Sequence, residues 1–148
     1  MAGTIVSVSD PNLLDKINNV VHDCFFDVDD ISFDSGRRVL SIEFKREALE
    51  RSKLLRTRGP LKTWQIPIIQ CMLKFFHVAS YEINDTEGVG TYDLKEVTFE
   101  SQSSRIVVKT GIPIQIEVQV SSFEIEIEET DKTVGSKSLN SVFDIRKI

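Results

Sequence analysis

Ten residues of this chain occur twice. Phe26-Asp27-Val28-Asp29-Asp30-Ile31-Ser32-Phe33-Asp34-Ser35 returns 66 positions later as Tyr92-Asp93-Leu94-Lys95-Glu96-Val97-Thr98-Phe99-Glu100-Ser101. Three positions are identical, six keep their chemistry, and only Asp29 against Lys95 differs. Each copy leads into a second apolar run. In the first, Ile31 and Phe33 alternate with polar residues, Ser35-Gly36-Arg37-Arg38 has the composition of a turn, and Leu40, Ile42 and Phe44 alternate again. In the second, Val97 and Phe99 precede the polar turn Ser101-Gln102-Ser103-Ser104, and Ile106 and Val108 follow it. Period-two runs around a polar turn are hairpins with one wet face. A unit used twice is a scaffold device. The identical pair Asp27 and Asp93 precedes the two strands, and alternation does not explain it.

The elements around the hairpins follow from the same periodicities. Thr4 to Val8 reads as a short strand. Ser9 or Asp10 caps a helix with Pro11 in its first turn, and Leu13, Leu14, Ile17, Val20, Val21 and Cys24 form its apolar stripe. Arg46 to Arg56 reads as a short helix ended by Gly59-Pro60. Ile66 to Ile83 has apolar residues on both parities and reads as a central strand, with a buried helix as the competing reading for Ile68 to Phe76. Gly111-Ile112-Pro113 marks a corner or edge. Ile114 to Val120 and Phe123 to Ile127 alternate, with a frame slip that places a turn or bulge at Ser121-Ser122. Thr130 to Ser141 reads as a loop, and Phe143 to Ile148 as a last strand or tail.

The chain's 148 residues suit one domain, with no need for disulfide or metal staples. One N-terminal helix and mostly sequential antiparallel strands give an α+β fold: the helix packs on a curled sheet of about seven or eight strands, or a partial barrel. No signal-like start or membrane-length apolar run is visible, so the reading is cytoplasmic, with no membrane partner. Cys24 and Cys71 match no metal or redox spacing and read as two buried thiols.

Charge is unevenly spread. The segment 45–62, inserted between the two hairpin units, holds seven basic and two acidic residues, while the remainder holds 11 basic and 21 acidic ones. Arg51, Lys53, Arg56, Arg58 and Lys62 are therefore candidates for contacting nucleic acid or a phosphate ligand, with Trp64 able to stack a base. Glu124, Glu126 and Glu128 share one face of a strand and read either as a docking surface for a basic protein or as charge that protects an edge. His22-Asp23, with aspartates close behind, has metal-ligand chemistry but not metal-ligand spacing, and fits a helix C-terminus better than a metal site. His77 with Cys24 or Cys71 would be a nucleophile and base, though no local motif supports it. No cofactor motif is present.

Val21-His22-Asp23, then Asp30-Ile31-Ser32-Phe33-Asp34 and Val39-Leu40-Ser41-Ile42-Glu43-Phe44, resembles a pattern found in small bacterial proteins, some of them immunity-protein-like, in which a His-Asp pair precedes a hairpin with an acidic turn. The resemblance covers about one-sixth of the chain. It implies a non-enzymatic, bacterial, cytoplasmic protein that binds and neutralises a toxin domain, with His22 and Asp23 as characteristic residues. The leading expectation is thus a protein-binding domain. Nucleic-acid binding through segment 45–62 is the second, and a metal-dependent or Cys/His enzyme the third.

Overall fold

A computed structural model describes residues 3–147. The described residues form eleven strands: β1 (Gly3–Val8), β2 (Phe25–Asp27), β3 (Ile31–Asp34), β4 (Val39–Glu47), β5 (Lys53–Arg58), β6 (Leu61–Phe75), β7 (Val78–Asn84), β8 (Thr91–Glu100), β9 (Arg105–Thr110), β10 (Gln115–Val120) and β11 (Ile125–Ser141). One helix, α1 (Asp15–Val21), lies between β1 and β2. All the pairings are antiparallel, and the path runs β1-β11-β6-β4-β2-β8-β9-β10-β7, with β3 beside β4 and β5 beside β6. Its two ends do not pair with each other, so the sheet is open.

The two repeat copies form the two hairpins in one register. Ile31 faces Ile42 and Phe33 faces Leu40; at the same offset, Val97 faces Val108 and Phe99 faces Ile106. Both turns end on a left-handed residue, Arg38 (φ 57) and Ser104 (φ 52). The carbonyls of these residues accept matching bonds, from Val78 N–H at 3.0 Å and from Val120 N–H at 3.0 Å.

The equivalence extends well past the decapeptide. Ile42 faces Leu73 on β6 as Val108 faces Ile116 on β10. Leu73 then faces Ile127 on β11, and Ile116 faces Ile83 on β7. Each hairpin therefore heads a four-stranded unit, β3-β4-β6-β11 or β8-β9-β10-β7. The fourth strands are exchanged. β6 runs through Phe76-His77 into β7, which belongs to the second unit, and β10 runs through 121–124 into β11, which belongs to the first. The crossing linkers bond to each other, Phe76 N–H to Glu124 O at 3.1 Å and Ser121 N–H to His77 O at 2.9 Å.

The copies meet on a local two-fold axis. Phe26 pairs with Tyr92, its own counterpart, with ring centroids 6.0 Å apart. The flanking bonds Leu94 N–H to Cys24 O and Val28 N–H to Gly90 O, both 2.8 Å, are the same bond made twice. The repeated phenylalanines also match: Phe33 packs on Tyr81 and Phe99 on Phe123, at 4.8 and 4.9 Å. The core is built from both units, with Leu40, Ile42, Phe44, Leu73 and Phe75 meeting Leu94, Ile106, Ile116 and Val118. Each such side chain contributes roughly 1.5–3 kcal/mol relative to leaving it in water.

Several expectations are corrected. The sheet has eleven strands rather than seven or eight, because β2 and β5 are added and the segment read as one strand breaks at His77 (φ 56) into β6 and β7. The long helix is a 3-10 turn, Pro11–Leu13, followed by the seven residues of α1. Backbone bonds to β8 at Asp23 (φ 64) and Cys24 pull the chain into the sheet there. Ile17 and Val21 enter the core, while Leu13 is exposed. Asn18, which lies off the apolar stripe, bonds both backbone groups of Val97, at 3.0 and 2.7 Å.

The helix expected over Arg46 to Arg56 is the end of β4, a 3-10 turn Leu49–Arg51, and most of β5. The loop expected over Thr130 to Ser141 continues β11, pairing with β6 as far as Ser141 against Lys62. Ile68 to Phe76 is strand up to Phe75, not helix. Of the last strand or tail expected over Phe143 to Ile148, the described part is not strand: Ile145–Lys147 is a 3-10 turn with Ile145 buried, and Ile148 lies outside the described residues.

Candidate functional site

The segment that breaks the internal symmetry is an arm. β5, the first half of β6 and the second half of β11 form a three-stranded ribbon beyond the reach of the flanking strands: β4 pairs with β6 only up to Ile68, and β1 with β11 only up to Glu129. Cross-strand partners share a face. Lys53, Arg56 and Arg58 therefore lie with Leu61, Thr63, Gln65, Ser138 and Asn140 on one face. Leu54, Trp64 and Leu139 form a row on the other, where Lys62 also points. Leu55 is the extra residue of a bulge between Leu54 and Arg56.

The two faces differ in chemistry. The first is polar and basic, and holds a groove of ≈ 480 Å³ lined by Arg51, Lys53, Gln65, Pro67 and Ser136. On the second, Trp64 is 1% exposed and packs with Ile66, Leu49 and Ile145, under the Arg146 guanidinium 5.0 Å from its ring centroid. A buried indole cannot stack a base, which removes that role for Trp64. Leu54 and Leu139 flank it, 49% and 39% exposed.

No aspartate or glutamate occurs from Arg51 through Tyr81 or from Lys132 through Phe143. Among the described residues, Lys53, Arg56, Arg58 and Lys62 make no ion pair, whereas Arg51 is drawn away to the arm's root. There Glu129, nearly fully buried, meets Arg51 at 2.8 Å and Arg46 at 3.4 Å, and Arg46 also meets Glu50 at 2.8 Å. The alternation that sends Ile125 and Ile127 inward also sends Glu129 inward, a signal already present in the sequence. This cluster lies along a groove of ≈ 870 Å³ whose walls include Val20, Cys24, Phe25, Leu49 and Ile68.

The acidic ribbon is occupied by the chain's own groups. Glu124 bonds His77 at 2.8 Å, Glu126 accepts from the Thr4 hydroxyl, and Glu128 pairs with Lys74. β11 lies between β1 and β6, so these carboxylates are not guarding an edge there.

His22, Asp23 and Asp93 come together around Lys95, the one residue at which the repeat copies disagree in charge. Lys95 Nζ pairs with Asp23 and, at 3.0 Å, with Asp93, while His22 Nδ1 lies 3.0 Å from Lys95 O. The Lys95 bond holds both the Asp23 and Asp93 carboxyls below the ordinary aspartate value of 3.8, and the bond to Asp23, then that to Asp93, raises Lys95. Asp93 also accepts from Gly111 N–H at 3.1 Å. Asp27 stands apart and accepts from the Thr91 hydroxyl.

Among the described residues no three of His, Cys, Asp or Glu are placed to hold a metal ion, and no helix is long and apolar enough to cross a membrane. Cys24 donates to Val20 O at 3.3 Å, and burial pushes its thiol up to about 12; burial also raises Cys71. A nucleophilic cysteine needs the opposite shift. The chain matches no family model, no curated protein and no solved structure.

Proposed function

We propose that this chain is a non-enzymatic binding domain that docks an acidic protein partner through the arm. The reading is carried by Lys53, Arg56, Arg58 and Lys62, which make no ion pair among the described residues, on a ribbon whose own strands hold no carboxylate beyond Asp131. Exposed leucines beside them favour a protein over a nucleic acid, because apolar area on a docking face is satisfied by side chains rather than by phosphates. Contact moves from the acidic ribbon to the arm because Glu124, Glu126 and Glu128 already have partners. The negative body supports the same choice, since it repels a polyanion at long range while a shorter acidic patch reaches the arm. The resemblance to immunity-like proteins points to a partner neutralised by contact, in a cytoplasmic setting.

The test is a protein retained from the source cell by the wild type and lost by the variant carrying Lys53→Glu, Arg56→Glu and Arg58→Glu, then purified and titrated. The expected affinity falls with salt and drops by on the order of 100-fold in the variant. Salt-dependent binding to mixed oligonucleotides, with no protein retained, would replace this reading with the nucleic-acid one.

A further inference from the structure

A binding arm has to present something to its partner, and β5 presents an edge. Among the described residues it pairs with β6 alone, so its other side carries unpaired backbone N–H and C=O groups along six residues, all of them exposed. Of the strands with an open side, β1 is uncharged, β3 carries Asp34 and β7 carries Glu82; the stretch of β11 beyond Glu129 carries Lys132 and Lys137, the latter paired with Glu47 at 2.8 Å, whereas the three cations of β5 make no ion pair among the described residues. Its two faces also differ, with Lys53, Arg56 and Arg58 on one and the exposed Leu54 on the other.

We propose that the outer edge of β5 accepts an extended segment alternating acidic and apolar residues, which adds a strand to the arm. This rests on the arm being the docking element and specifies how it docks. Main-chain bonds to an edge supply affinity, and the alternating side chains supply choice. Acidic side chains of the incoming strand fall on the face of Lys53, Arg56 and Arg58, and its apolar ones fall beside Leu54. A second β5 is not the occupant, since pairing two such edges sets like charges side by side. The chain's own alternating segment at Glu124 to Glu128 is not the occupant either, because β1 and β6 already flank it.

The probes are a capped Glu-Val repeat peptide, two versions of it N-methylated at alternate residues, and an all-Glu peptide of equal length, each titrated against the intact protein with hydrogen exchange read at the β5 amides. Strand addition predicts that the Glu-Val peptide binds and slows exchange in β5. One N-methylated version loses at least about tenfold in affinity, and the all-Glu peptide binds more weakly. No binding of the Glu-Val peptide, or equal binding of all four peptides without protection of β5, overturns the inference. If binding is equal for all four but is lost in the Lys53→Glu, Arg56→Glu, Arg58→Glu variant, only the edge mode fails and the arm stands. Binding unchanged in that variant removes the arm reading as well.

Discussion

At Gly111 an added Cβ would lie 2.4 Å from Asp93 Oδ1 and 2.6 Å from Oδ2. The glycine is required because the same carboxylate takes the Gly111 N–H and the Lys95 ammonium. Gly111→Ala should cost about 1–3 kcal/mol in denaturant unfolding, and distinctly less in an Asp93→Ala background, because the clash and its partner are then removed together. Glu129→Ala leaves Arg46 without its deepest partner; a loss of about 3 kcal/mol is expected, at the lower end for broken buried pairs because Arg51 is half-exposed. Both cysteines should resist alkylation at neutral pH until the protein unfolds, as followed by mass spectrometry. Residue roles of this kind were poorly legible in the sequence. Asp93 was visible as an identical repeat position, but its partners are a glycine 18 residues away and the one mismatched residue of the repeat. Glu129 shares its residue type with Glu124, Glu126 and Glu128 of the outward face, and only its parity sets it apart.

Elements whose apolar pattern is complete within a few residues were legible: both hairpins, their turns and β10 follow from alternation alone. The arm was not. Lys53 to Arg58 and Thr133 to Ser141 have no alternation to betray them, because neither face of the ribbon is buried along its length and its strands are held mainly by pairing with β6. The arm's stability is correspondingly local. Trp64→Ala should speed hydrogen exchange in β5 and residues 61–66 while leaving β4 and the Leu73–Phe75 end of β6 protected, since the small cluster around Trp64 is separate from the main core. The junction of α1 with β8 has its own signature in pH. The folded-state values of Asp23 and Asp93 are depressed, so their contribution is present above 3.8 and is lost as pH falls through the lower folded values. Lys95 is raised, so its contribution is present below 10.5 and is lost as pH rises through its folded value. Lys95→Met should therefore shrink the drop in Tm between neutral pH and a pH below 3.8, as read by thermal scans.

For the whole molecule, the duplication was visible in ten residues but reaches eight strands. The longer equivalence was concealed because the insert carrying the arm shortens the offset between matching third strands: Leu73 corresponds to Ile116, well short of the 66 positions that separate the two decapeptides. The exchange of fourth strands was invisible for a plainer reason. Alternation specifies which face of a strand is wet, and says nothing about which neighbour it joins. A chain cut in the exposed loop at Glu87 should give two fragments that are each unfolded alone and regain structure when mixed. Trp64 fluorescence would report this, because Ile145 and Arg146, which cover the indole, come from the second fragment. During synthesis the same exchange has a cost in time. β7 leaves the ribosome before β10 exists to receive it, and β6 waits on one side for β11, which follows β10. Neither unit can be finished before β10 is made, so native structure is acquired late, and a nascent chain halted before Gln115 has no completed half to protect it from proteases or chaperones.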